Sequence, residues 1–370
     1  LLPSNEQFGL VVGNPPYVSI LELDASERER FRRSYSTAIG RFDLYVLFFE
    51  QALRMLREPG RLVFITPEKF LYVESARRLR ELLVHRVREL YFASESTFGT
   101  LVTYPLISTI GPESSGAPTS VRRRDGSTST VRLASAASWL PAINGHPAAQ
   151  EQGLVLGDVA LRVSCGVATG VDKVFVTRPG DLSSELERFS FPTVAGRQIA
   201  ANRDLRTEHV ILAPYDRNGR LLSESALGPL GRYLNEPARR KLLDSRTCSA
   251  RKQWFAYHDN LPLDVMLRPK LLCKDITESP FFVIDEAGTI VPRHSVYYIV
   301  PADPSLLHPL AEYLNSDSAV SWMRSHCQRA AKGFLRMQSH VLKQLPLPAS
   351  FERYRVAPDA FAGSLGELTA

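Results

Sequence analysis

Cysteine is scarce in this 370-residue chain: Cys165, Cys248, Cys273 and Cys327 lie far apart, with no CxxC pair. That spacing gives no support for zinc or dithiol redox chemistry, and a reduced, cytoplasmic compartment is the simplest reading. No metal site is expected. Long apolar runs are missing too; the longest, such as Leu44 to Phe49, fall far below the roughly 20 residues of a membrane span. The chain opens on Leu1, and no basic stretch precedes an apolar run, so no signal peptide is visible. Lysine is sparse, 8 residues against 37 arginines. Arginine suits phosphates and base edges, although a GC-rich genome produces the same bias without a functional reason.

What is present is ordinary for a folded protein: 44% hydrophobic and 23% charged residues, which excludes wholesale disorder. The length implies two or three domains. A net charge of +6 is compatible with a polyanionic partner without demanding one. The surplus is uneven, +1 over residues 1–111 and +4 over residues 151–350.

The first hundred residues alternate strand-like and helix-like segments. Gly9–Val12 reads as a short strand stopped by Asn14-Pro15-Pro16. From Asp43 to Arg57, Leu44, Leu47, Phe48, Ala52, Met55 and Leu56 share one helical face, with Asp43 as N-cap and Pro59-Gly60 as the stop. Strand 61–66, helix 74–86 and strands 87–93 and 103–110 follow. Strands separated by helices imply crossovers and a mainly parallel sheet, with the last two strands pairing as an antiparallel edge. From Gly111 to Gln150 the composition turns to Gly, Pro, Ser, Thr and Ala, which predicts a linker (112–150) carrying one strand near Ser129–Leu133. Residues 151–350 mix strand-like stretches (174–177, 209–215, 270–276, 281–285, 295–300) with helical ones (225–244, 305–330), an α+β pattern. Residues 351–370 read as a tail.

The informative tetrapeptide is Asn14-Pro15-Pro16-Tyr17, which directly follows a hydrophobic strand. In an open α/β sheet, the C-terminal ends of strands are where ligands bind. Two prolines fix the backbone and restrict Asn14 as well. The rigid turn then presents an amide oxygen, the Pro15 carbonyl and the Tyr17 ring. Two carbonyl acceptors can hold both hydrogens of a planar exocyclic amine and pull its nitrogen out of conjugation, while the ring stacks on the base. A proline-rich turn with a buried tyrosine is the alternative; the preceding strand and following helix favour function.

VVGNPPYV (11–18), DLYVLFFEQALRMLREPGRLVFITPEKFL (43–71) and STFGTLVTYPLISTI (96–110) together resemble the γ-class N(6)-adenine DNA methyltransferases, in their TaqI-like and Eco57I-like branches. The resemblance implies that residues 1–111 are the second half of a Rossmann-like methyltransferase sheet in an α/β catalytic domain, using S-adenosylmethionine. It implies that Asn14 and Pro15 hydrogen-bond the adenine amine, Tyr17 stacks on the extruded base, Pro16 with Asn14 touches the methyl donor, and Phe98 supplies a second aromatic contact. A duplex-buried amine reaches such a pocket only if its nucleotide leaves the stack. Residues 151–350 more loosely resemble the target-recognition domain of these enzymes, through the stretches 156–176, 268–290, 310–323 and 332–348. Double-stranded DNA is the implied partner, and restriction–modification or phage defence the implied setting. Gly166 and Gly170 do not follow a strand-to-helix pattern, so no nucleotide loop is expected there.

Two basic stretches are candidates for phosphate contact. Residues 232–252 read as a solvated face. In residues 324–343 no acid occurs, and Arg329, Lys332, Gly333 and Arg336 are the expected DNA contacts, with Gly333 allowing close backbone approach. The family's Gly-rich donor loop and ribose-binding acid are not found before Asn14, so an upstream or separate segment is expected to complete the catalytic domain. A DNA-binding specificity protein with an inactive methyltransferase domain, and a protein glutamine methyltransferase, are the competing readings.

Overall fold

The computed structural model describes residues 7–94, 97, 104–134, 138–145, 153–200, 205–330 and 333–356. The chain divides into two compact units, Leu1–Gln150 and Glu151–Ala370. Both are mixed α/β.

The first unit contains β1 (Phe8–Gly13), α1 (Ala25–Ser34), α2 (Tyr45–Met55), β2 (Leu56–Pro67), α3 (Arg77–Leu83), β3 (Val87–Phe92), β4 (Pro105–Ile110), β5 (Thr119–Arg122), β6 (Thr128–Val131) and α4 (Leu140–Ile143). Its six strands form one sheet in the order β1-β2-β4-β3-β5-β6. β1 and β2 run parallel, as do β3 and β5, while β4 is antiparallel to both its neighbours. The β3–β4 pair is antiparallel as expected, but it is not an edge. β4 slots between β2 and β3, where Leu106, Ser108 and Ile110 are fully buried and both its hydrogen-bonding sides are used.

The expected linker is instead partly sheet. β5 pairs with β3 and β6 with β5. Val121 is buried, Thr119 Oγ1 donates to the Val87 carbonyl (3.1 Å), and Trp139 packs edge-on against Phe70 with ring centres 6.3 Å apart. A Ser/Thr-rich stretch hides these contacts because single buried residues, Val121 and Trp139, carry them.

α2 also departs from expectation. Its N-cap is Leu44, without a side-chain cap bond, and Asp43 pairs instead with Lys69 Nζ (3.3 Å). The helix ends at Met55, and Pro59 and Gly60 lie inside β2, beside a register shift against β1. Phe49 is buried whereas Phe48 is 44% exposed. The apolar surface of α2 is broad: Tyr45, Val46, Phe49 and Ala52 pack on the sheet, and Leu47 joins Ile20, Ala38 and Phe42 in a smaller cluster. A single stripe therefore misreads it.

The second unit contains α5 (Leu156–Val159), β7 (Ala160–Cys165), α6 (Asp172–Phe175), β8 (Val176–Thr177), β9 (Ser190–Val194), β10 (His209–Leu212), α7 (Pro229–Leu234), α8 (Pro237–Asp244), α9 (Leu263–Met266), β11 (Lys270–Lys274), β12 (Ile276–Thr277) and β13 (Val283–Asp285). β14 (Val291–Pro292), β15 (Val296–Pro301), α10 (Leu307–Leu314), α11 (Asp317–His326), β16 (Gln328–Arg329), β17 (Leu335–Arg336) and α12 (Ser339–Leu342) complete it. Three sheets result: β14-β9-β10-β8, β13-β11-β15-β7 and β12-β17-β16. Residues 174–175 close α6 rather than opening a strand, because Val174 and Phe175 point into a core where Phe175 meets Tyr257 (4.8 Å). The expected tail starts too early at 351. Phe351 is buried beside Tyr313 (5.9 Å), and Arg355 pairs with Asp158 (3.1 Å). Among the described residues no helix is long and apolar enough to cross a membrane.

Candidate functional site

β1 ends at Gly13, and Asn14-Pro15-Pro16-Tyr17 leaves the sheet at its C-terminal end. Asn14 and Pro16 are exposed, Pro15 is buried and Tyr17 is half-buried. The alternation follows from the turn: Pro15 anchors it, while Asn14 and Pro16 face outward. Tyr17 is fixed from two sides. Its hydroxyl donates to the Ile65 carbonyl of β2 (3.1 Å), and its ring meets Tyr45 of α2 edge-on at 6.2 Å. Burial raises the Tyr17 phenol above its ordinary pKa, so the hydroxyl stays a neutral donor at physiological pH.

The chain then runs antiparallel to the start of α2, with Ile20 N donating to Phe42 O (2.9 Å) and Leu44 N to Val18 O (2.8 Å). This strap brings Asp43 beside the turn, and the Asp43–Lys69 ion pair ties it to the segment after β2. Phe98 lies outside the described residues.

The ends of the β3–β4 connection are described, and they converge on one cation. Arg124, from the β5–β6 turn, donates to the Ala93 carbonyl (3.0 Å) and pairs with buried Glu68 (3.1 Å). Its guanidinium also lies over Tyr104, 5.3 Å from the ring centre. Glu68 N donates to Tyr104 O (2.9 Å) and Ala93 N to Pro105 O (3.0 Å). Sequence reasoning missed this cluster because its members come from separate elements, one of them in the stretch read as linker.

Among the expected DNA contacts, Arg329 and Arg336 fall on the two strands of the β16–β17 hairpin and are exposed. Gly333 lies between these strands with φ +78°, and a Cβ there would meet nothing within 4 Å. Lys332 lies outside the described residues. The side chains of Arg324, Arg329, Arg336 and Lys343 make no ion pair or hydrogen bond among the described residues. The 232–252 stretch behaves differently. Arg232 pairs with Glu185, Arg239 with Glu236 and Arg240 with Asp244, and Arg246 is buried on the carbonyls of Thr169, Trp254 and Ala256. Most of that charge is spent locally. Gly166 is a packing residue, since a Cβ would come within 2.4 Å of the Pro292 and Arg293 carbonyls. No group of three potential metal ligands occurs among the described residues.

For a sulfonium nucleoside donor, the turn supplies one wall, Asn14 and Pro16, both open to solvent. Beside that wall the strap brings Asp43 and Lys69, whose charges are paired with each other (3.3 Å). The fit is therefore to one side of the donor only.

Comparison with known proteins matches two stretches of the chain. Residues 3–98 match the Eco57I restriction-modification methylase family, and residues 207–347 match the TaqI-like C-terminal specificity domain. The Type II methyltransferase M.PaeR7I of Pseudomonas aeruginosa is 26% identical over 99% of this chain and 68% of its own length. The Type II methyltransferase M.BstVI of Geobacillus stearothermophilus is 25% identical over 92% of this chain and 67% of its own. The solved structure of the Type IIL restriction-modification enzyme MmeI in complex with DNA shares the fold, with a TM-score of 0.64 at 12% identity, over 91% of this chain and 45% of that one. The chain thus spans about two thirds of the length of these curated relatives and under half of that solved chain.

Proposed function

We propose that this chain, which belongs to the restriction-modification methylases and joins an Eco57I methylase domain to a TaqI-like C-terminal specificity domain, methylates adenine at a specific site in duplex DNA. The observation that carries the reading is the rigid turn at the end of β1, with Asn14 exposed and the Tyr17 ring pinned by Ile65 and Tyr45. In this reading the Asn14 amide oxygen and the Pro15 carbonyl accept the two amine hydrogens of adenine. That rehybridises the nitrogen and frees its lone pair. Tyr17 stacks on the base, and Phe98 touches it from another side. The base leaves the helix to reach them, at a cost of a few kcal/mol that stacking and hydrogen bonds offset. S-adenosylmethionine supplies an electrophilic methyl group when bound, with Asn14 and Pro16 along its edge. The amine needs no general base before transfer, because its proton becomes acidic only afterwards.

Two further parts complete the proposal. β1 is an outer strand of its sheet, and Leu10 and Val12 on one face are 60% and 68% exposed. Apolar side chains bared in register on a sheet edge invite cover, so a further strand-and-helix layer, in the same polypeptide or a companion, packs there and supplies the rest of the donor site. The exposed Arg329 and Arg336 of the β16–β17 hairpin, with Lys332 between them in the sequence, meet DNA, and the protein works in the cytoplasm beside it. Methylation sequencing of DNA from cells expressing the full-length protein tests the reading. N6-methyladenine at one short motif is expected; methylated cytosine, or no methylated base, would contradict it.

A further inference from the structure

Every charged residue of the β16–β17 hairpin is a cation, yet a carboxylate, Asp275, stands beside it. Asp275 directly precedes β12, whose Ile276 lies opposite Arg336 of β17. The backbone fixes this neighbourhood: Met337 N donates to Asp275 O (2.7 Å), and Asp275 N donates to Ser295 O (2.9 Å). The Asp275 side chain is half-buried and accepts no hydrogen bond or ion pair among the described residues. Burial raises its pKa above the ordinary carboxylate range, and the fields of Arg336 and His294 only partly offset this.

A half-desolvated acceptor without a donor costs free energy. A surface built to hold phosphates gains nothing from it, since a carboxylate repels phosphate. A base edge is different. Among the pairs displayed in the major groove, G·C offers the cytosine N4 amine, a donor, next to guanine O6 and N7, both acceptors. Asp275 is an acceptor, and exposed Arg336 a donor.

Resting on the proposed function, we infer that Asp275 and Arg336 are specificity-determining residues that read one G·C pair of the target site, Asp275 accepting from cytosine N4 and Arg336 donating to guanine. Arg336 is thereby moved from backbone contact to base readout, leaving Arg329 and Lys332 for phosphate.

The test is selection of bound duplexes from a random-sequence DNA pool by the full-length protein, with sequencing of the bound fraction. The wild type is expected to select a motif with a fixed G·C pair. Asp275→Asn, which keeps the side chain's shape, and Arg336→Ala should each lower preference at that one position about tenfold while leaving the other positions fixed. An unchanged motif in both variants overturns the inference. So does a uniform loss of affinity across all sequences, or relaxation at two separate positions. Thermal melting of both variants separates readout from misfolding, and Asp275→Ala provides a second variant at the same site. Methylation of the selected motif by the wild type is scored in parallel. A protein that selects the motif without methylating adenine breaks the functional reading, while the binding arm still decides the role of Asp275.

Discussion

Tyr17 illustrates how much a single side chain is asked to do. Its hydroxyl is committed to Ile65 and its ring edge to Tyr45, so the ring is held in place before any base arrives. Removing only the hydroxyl, Tyr17→Phe, should cost about 1 kcal/mol of stability and lower methylation slightly. Tyr17→Ala removes the stacking surface, worth about 1–3 kcal/mol, and should cut single-turnover methylation by about ten- to a hundredfold. Fluorescence of 2-aminopurine placed at the target position distinguishes the two: Tyr17→Ala should leave the extruded base unquenched, and an unaltered signal would remove Tyr17 from the pocket. The tetrapeptide was legible in the sequence because its chemistry is local, four consecutive residues behind one strand. Arg124 was not. Its partners Ala93, Tyr104 and Glu68 become neighbours only once β4 enters between β2 and β3, and nothing in the Ser/Thr-rich stretch around it signals that.

At the scale of elements, the β16–β17 hairpin and α2 make separate predictions. If Arg329 and Lys332 meet phosphates, replacing both with Ala should weaken binding to all sequences alike and flatten the slope of log K against log salt by about 1.8. An unchanged slope would return the hairpin to an ordinary solvated surface. Glu50 of α2 accepts from Thr37 Oγ1 (2.8 Å), Thr37 N (2.9 Å) and Ser36 N (3.1 Å) and pairs with Arg54 (2.6 Å). Burial pushes its pKa up, but these hydrogen bonds and the Arg54 charge pull it below the ordinary 4.5. A carboxyl with a depressed folded pKa contributes stability above its unfolded value and loses it as pH falls through the folded one. Glu50→Gln should therefore destabilise the first unit by about 2 kcal/mol at neutral pH, and the gap in melting temperature should close below pH 4.5. A gap that persists into acid would assign the effect to packing. The existence of most strands was legible from apolar runs and turn residues. The orientation of α2 was not, since a helix buried on two sides has no single stripe, and the position of β4 was not, since pairing order is a tertiary choice.

For the whole molecule, the change of composition after Gly111 is legible in the sequence, whereas β5, β6 and the packing of Trp139 show how far the first unit extends into the expected linker. The bare face of β1 has a thermodynamic consequence. With only Asn14 and Pro16 along one wall, the 370-residue polypeptide alone should not bind S-adenosylmethionine tightly, because such a donor needs polar groups converging from several strand ends. Calorimetric titration checks this; micromolar affinity without any added segment would mean that the donor site is built elsewhere. The central claim, that the exposed Asn14 amide performs the chemistry on adenine, is tested most directly by single-turnover methylation and DNA binding measured side by side on full-length wild type and Asn14→Ala. Loss of methylation by a factor of a thousand or more, about 4 kcal/mol at the chemical step, with specific DNA affinity nearly unchanged is expected. Wild-type turnover by Asn14→Ala would contradict it.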